Sequence, residues 1–181
     1  MSRPKRRKRF EYIKDFAVYR PSDEDVILAH TRSCKLGVIP HPHIKGNGRM
    51  TGYLGEIAIQ KYLGARSRYV GDKEYTHDIV YKKQRVEVKS KACIRRPDPE
   101  YIAFVNGRRN MEPNNDVYFF SRVRRDFRRV YIVGWLPTST FFDEATYYDV
   151  GDYDEHGYHF LLSGYTIPIA ELNTPKEFKK T

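Results

Sequence analysis

The chain has 181 residues, 40% of them hydrophobic, and a formal net charge of +10. That length suits one domain with a sizeable core, and that apolar content excludes a disordered chain. The longest apolar run, Val130–Leu136, is too short to span a bilayer. The charge excess favours a polyanionic partner, nucleic acid before an anionic membrane, and no basic amphipathic helix of the kind that lies on membranes is found.

In chain order, residues 1–9 read as a basic arm, with six Lys or Arg among them. No apolar stretch follows that would make a secretory signal. Ser22 reads as an N-cap, followed by Asp23, Glu24 and Asp25, and predicts a helix over about 23–35 closed by Gly37. Its prolines and glycines make 37–50 a loop. A second helix is expected over about 51–63, with Leu54, Ile57, Ala58 and Ile59 on its apolar side and Gly64 as its stop. Glu56 and Gln60 lie one turn apart on another face. A short strand near 67–70 precedes a hairpin over 76–92. Residues 101–105 read as a strand, and Asp116–Val123 with Arg129–Leu136 as a second strand pair. A short helix is expected over 139–147. Pro168 marks "YTIPIAEL" as an edge strand. Cys34 and Cys93, in unrelated contexts, argue against a disulfide framework and fit a reducing interior, so an intracellular location is expected, host cytoplasm if the source is viral.

The hairpin "THDIVYKKQRVEVKSKA" carries the chemistry. If Lys82–Lys83 is a two-residue loop, Tyr81 faces Gln84, Ile79 faces Val86 and Asp78 faces Glu87. Opposed residues share one side of a sheet, roughly 5 Å apart at Cβ, and alternation adds Lys89 to that side. The other side holds Ile79, Tyr81, Val86 and Val88, which suits a core. Two opposed carboxylates destabilise a sheet, and in a low-dielectric cleft one would stay protonated. A divalent cation removes that conflict, and Mg²⁺ prefers such oxygen ligands. A solvated strand face with a Glu–Lys pair is the competing reading.

"GEIAIQKYL", then "HDIV", then "VEVKSK" resembles the PD-(D/E)XK, or restriction-endonuclease-like, nuclease superfamily over residues 51–91. The resemblance implies an α/β fold with a mixed central sheet flanked by helices. It implies a metal-dependent DNA endonuclease, of a small phage-borne, junction-resolving or restriction-like kind. It assigns Asp78, Glu87 and Glu56 to catalysis and, with the Val88 carbonyl, to a Mg²⁺ or Mn²⁺ ion; Lys89 would orient water or offset charge, and Gln60 would brace Glu56. Two-fold dimers are common in that group, so a homodimer is possible. Two departures stand out. His77 occupies the place of the family's proline, and 92–115 shows no long helix where the family has one. An exonuclease, an RNA-directed nuclease and a non-catalytic nucleic-acid binder are the alternatives.

Other basic positions fit phosphate contact: Lys45 and Arg49 in the glycine-rich Ile44–Gly52 stretch, Lys91 beyond the motif, and Arg122, Arg124, Arg125, Arg128 and Arg129 around the turn of the later strand pair. That glycine-rich stretch lacks the P-loop pattern. Cys34, His41 and His43 hint at zinc, but no second ligand pair completes a tetrahedral site.

Overall fold

The computed structural model describes residues 10–13, 15–35, 47–71 and 76–180, the first four through their backbone alone. Strands β1 (Phe10–Ile13) and β2 (Phe16–Tyr19) pair antiparallel, a hairpin the sequence reading missed. Helix α1 (Asp23–Lys35) begins after Ser22, as expected. The Asp25 amide donates to Ser22 Oγ at 3.3 Å and the Ser22 amide to Asp25 Oδ2 at 2.9 Å, which satisfies amides the first helical turn leaves unpaired.

Helix α2 (Asn47–Leu63) starts a turn earlier than the spacing predicted, so Asn47–Met50 is helix and not loop. Met50 is buried with Tyr19, Ala29 and Leu54. Packing of that turn supplies helix stability that its glycine-rich sequence does not. Strands β3 (Ser67–Tyr69), β4 (Ile79–Tyr81) and β5 (Gln84–Cys93) follow as an antiparallel run. Strand β6 (Ile102–Asn106) leaves the main sheet, and β7 (Val117–Arg124) and β8 (Val130–Pro137) return to it. Helix α3 (Thr138–Glu144) is shorter than expected, because β9 (Thr146–Tyr148) takes up its predicted end.

The seven-stranded sheet has the order β1-β2-β8-β7-β5-β4-β3, mixed because β5 and β7 alone run parallel. A parallel pair needs a crossover. Here the crossover is β6 and irregular chain, and no helix forms over 109–115. That departs from the helical crossover the resemblance implies: "RRPDPE" and Pro113 deny a helix its backbone donors, while β6 finds a partner in the second sheet, β6-β10-β9.

Strand β10 (Gly164–Pro168) is the centre of that small sheet and not an edge. Pro168 is tolerated because β9 pairs only with Gly164–Thr166, leaving the proline's end open on one side. Helix α4 (Pro175–Phe178), also missed, is capped reciprocally by Thr174 and Glu177 and buries Phe178 against Trp135 and Phe119.

Strands β7 and β8 are buried on both faces, so they read as continuous apolar runs. On one face Ile59, Tyr62 and Leu63 of α2 pack on Val86, Val88, Phe119 and Ile132. On the other, Tyr118, Phe120, Tyr131 and Val133 pack on Phe141 and Ile167 from α3 and the small sheet. The architecture is therefore α/β, with α2 on one side of the main sheet and a second sheet with α3 on the other. Among the described residues no helix is long and apolar enough to cross a membrane.

Candidate active site

The β4–β5 hairpin has the register expected of it: Ile79 opposes Val86, Val80 opposes Arg85 and Tyr81 opposes Gln84. Lys82 and Lys83 form the two-residue turn, with φ of 48° and 70°. Ile79, Tyr81, Val86 and Val88 are buried beneath α2. Asp78 falls one residue before β4, just past the last paired residues Ile79 and Val86, and both Asp78 and Glu87 are half-buried.

Strand β4 ends here while β5 continues. The Val88 amide, past the end of its neighbour, donates to Asp78 Oδ2 at 2.8 Å. The Asp78 backbone is held as well: its amide donates to the Val86 carbonyl at 3.0 Å, and its carbonyl accepts from the Val70 and Gly71 amides. A carboxylate that would otherwise project from a strand end is thus fixed at a fork in the sheet.

Glu56 reaches this fork because α2 lies unusually close to β5. A Cβ on Gly55 would stand 1.9 Å from Ser90 Oγ and 2.6 Å from Ser121 Oγ. Only glycine permits that approach. The two serine hydroxyls bond each other across β5 and β7 at 2.8 Å. Glycine immediately before Glu56 is therefore what lets the helix carry this acid to the hairpin. The serines were not singled out from sequence, and nothing in their local pattern marks them.

The electrostatics follow from this proximity. Burial, then the negative charges of Glu56 and Glu87, push the Asp78 carboxyl up to about 8, against the opposing pull of the Val88 amide and Lys89. Lys89 donates to Glu87 Oε1 at 2.7 Å. Tyr118, buried and opposite Glu87 on β7, has its hydroxyl pushed up by burial and by the Glu87 charge. Among the described residues no three Asp, Glu, His or Cys side chains already form a metal-ligand cluster. Glu87 is engaged by Lys89 and Asp78 by a backbone amide, so the acids repel one another without being gathered around one point. Gln60 sits half-buried one turn along α2 from Glu56.

The basic positions sort unevenly. Lys45, His41 and His43 lie outside the described residues. Arg49 belongs to α2 and donates to the Ser33 carbonyl at 3.4 Å, tying α2 to the end of α1. Lys91 is exposed, its ammonium 3.3 Å from the Tyr158 hydroxyl. Arg122 is a correction. It is only 7% exposed and its guanidinium donates to the Ile102 carbonyl, so it braces β6 and does not face solvent. Strand alternation explains this, because Arg122 falls on the face the small sheet covers. Arg124 is ion-paired with Asp126 at 2.7 Å, Arg129 is half-buried, and Arg125 and Arg128 are exposed.

No protein-family model matches the chain, and no curated protein matches it either.

Proposed function

We propose that the protein is a metal-dependent DNA endonuclease of the PD-(D/E)XK kind. One arrangement carries the reading: Asp78, just before β4, has Glu87 of β5 and Glu56 of α2 near enough to act on it, and burial followed by their charges pushes its carboxyl up to about 8. Like charges are rarely brought together inside a fold unless a cation or a reaction uses them. The donor set is oxygen only and half-buried, which suits Mg²⁺ or Mn²⁺ and not a softer ion.

Asp78, Glu87 and the Val88 carbonyl would hold the ion, with Glu56 at its edge. Such an ion lowers the pKa of bound water and offsets charge on a scissile phosphate. The chain's own residues do the rest. The Val88 amide orients Asp78, while Lys89 keeps a positive charge two residues from Glu87, where it can pair with a phosphate oxygen once released from the glutamate.

The rival reading, a non-catalytic nucleic-acid binder, has the Lys89–Glu87 ion pair in its favour, since a solvated strand face forms such pairs. Supercoiled plasmid incubated with Mg²⁺ or Mn²⁺ separates the two, with chelator as control. Metal-dependent nicking is expected; salt-sensitive retention without any cutting favours the binder. Parallel linear, single-stranded, forked, four-way and RNA substrates define the specificity.

A further inference from the structure

The Lys82–Lys83 turn presents an oddity that the proposed chemistry leaves unused. Two-residue hairpin turns place both residues at positive φ and favour Asn-Gly or Asp-Gly. This one puts two lysines there, at 48° and 70°, adjacent, exposed and like-charged. Both features weaken the turn. The two strands flanking this edge are also rich in cations. Residues 64–71 and 79–86 contain Arg66, Arg68, Lys82, Lys83 and Arg85 and no acid. Arg85 is bonded to Asp116, while Arg66 and Arg68 are exposed on and beside the edge strand β3.

Strand β5 connects this tip to a second cationic region. Its far end meets the β7–β8 turn, where the Arg125 amide donates to the Cys93 carbonyl at 3.0 Å. There Lys91 and Arg125 line an open cleft of about 390 Å³ with Ser90, Gly48 and Thr51. Glu87 and Lys89 lie between the two ends. At about 3.3 Å per residue, Lys83 is about 13 Å before Glu87, and the span from Lys83 to Lys91 is about 26 Å, matching about eight base-pair steps of 3.4 Å.

We infer that a DNA duplex lies along β5, its backbone gripped at one end by the Lys82–Lys83 turn and at the other by Lys91 and Arg125. The identity of the polyanion rests on the function proposed above; the path rests on the placement of charge. Lysine at the turn trades stability for phosphate contact, so it has a signature that cations serving only solubility lack.

The test is binding of a labelled duplex of about 20 base pairs, long enough to overrun an eight-step path, in chelator at a series of salt concentrations. Lys82→Asn with Lys83→Gly is expected to raise Tm by a few degrees while weakening binding, the slope of log K against log salt falling by about 2. Lys91→Gln with Arg125→Gln is expected to lower the slope by about 2 as well. An unchanged slope in either pair, or no duplex binding by the wild-type chain, overturns the path. Neither metal nor cleavage enters this measurement. A chain that binds along this path but never cuts refutes the nuclease alone, and one that cuts with slopes unchanged refutes the path alone.

Discussion

Two aspartates in this molecule meet opposite fates. Asp25 is 2% exposed and its carboxyl lies below the ordinary value: burial pushes it up, and bonds from Lys61, the Tyr19 hydroxyl and the Ser22 amide more than offset that. Asp78 is pushed up to about 8, first by burial and then by the charges of Glu56 and Glu87, with only the Val88 amide and Lys89 opposing. Burial alone does not decide the charge of a carboxyl; its partners do. The Asp25 cluster is satisfied and joins β2, α1 and α2. The Asp78 cluster is in conflict, and under the proposed function a cation would relieve it.

Four predictions press on that contrast. Asp78→Asn keeps an acceptor for the Val88 amide but removes the charge. Plasmid nicking should fall on the order of 10³-fold with circular dichroism unchanged; a variant cutting at the wild-type rate removes Asp78 from the site. Asp25→Ala strips partners from a buried tyrosine hydroxyl and a lysine, and should cost about 2–4 kcal/mol in urea unfolding. Little loss there would mean the network is ornamental.

Gly55→Ala forces a methyl group against Ser90 and Ser121 and should cost about 1–3 kcal/mol. Because the strain displaces Glu56, activity should drop as well; adding Ser90→Gly should restore part of both. The smallest effect concerns pH. Between the ordinary carboxylate range and about pH 8, folded Asp78 keeps a proton that the unfolded chain has lost, so its contribution makes stability fall as pH rises through that window. Asp25 acts in the opposite sense: its contribution is present above the ordinary value and disappears as pH falls through its depressed one. Melting Asp78→Asn across pH 5–9 should show a flatter profile and, near neutrality, a Tm a few degrees above wild type.

Much of the hairpin was legible in the sequence, because period-2 alternation and a two-residue turn fix register locally. The Ile79–Val86 pairing and the buried Ile79, Tyr81, Val86 and Val88 followed from counting alone, while the expected Asp78–Glu87 opposition falls past the last paired residues. The approach of Glu56 was legible only through the resemblance; its physical cause, Gly55 against two serines from different strands, is a tertiary fact without a local trace. Burial of Arg122 was missed because a cluster of arginines at a turn conceals which of them alternates inward. Strand β6 was read directly, but its place in a second sheet escaped because its partner strand lies some sixty residues further on. The Thr174–Glu177 cap of α4, by contrast, is a capping-box pattern that could have been read directly.

Calorimetric titration of Mn²⁺ into the wild-type chain and into folded Asp78→Asn and Glu87→Gln variants probes the site without any substrate. Saturable binding by the wild type, weakened at least about tenfold in each variant, is the expected result. Equal binding by all three, or none by the wild type, would contradict the claim that these acids converge to hold a cation.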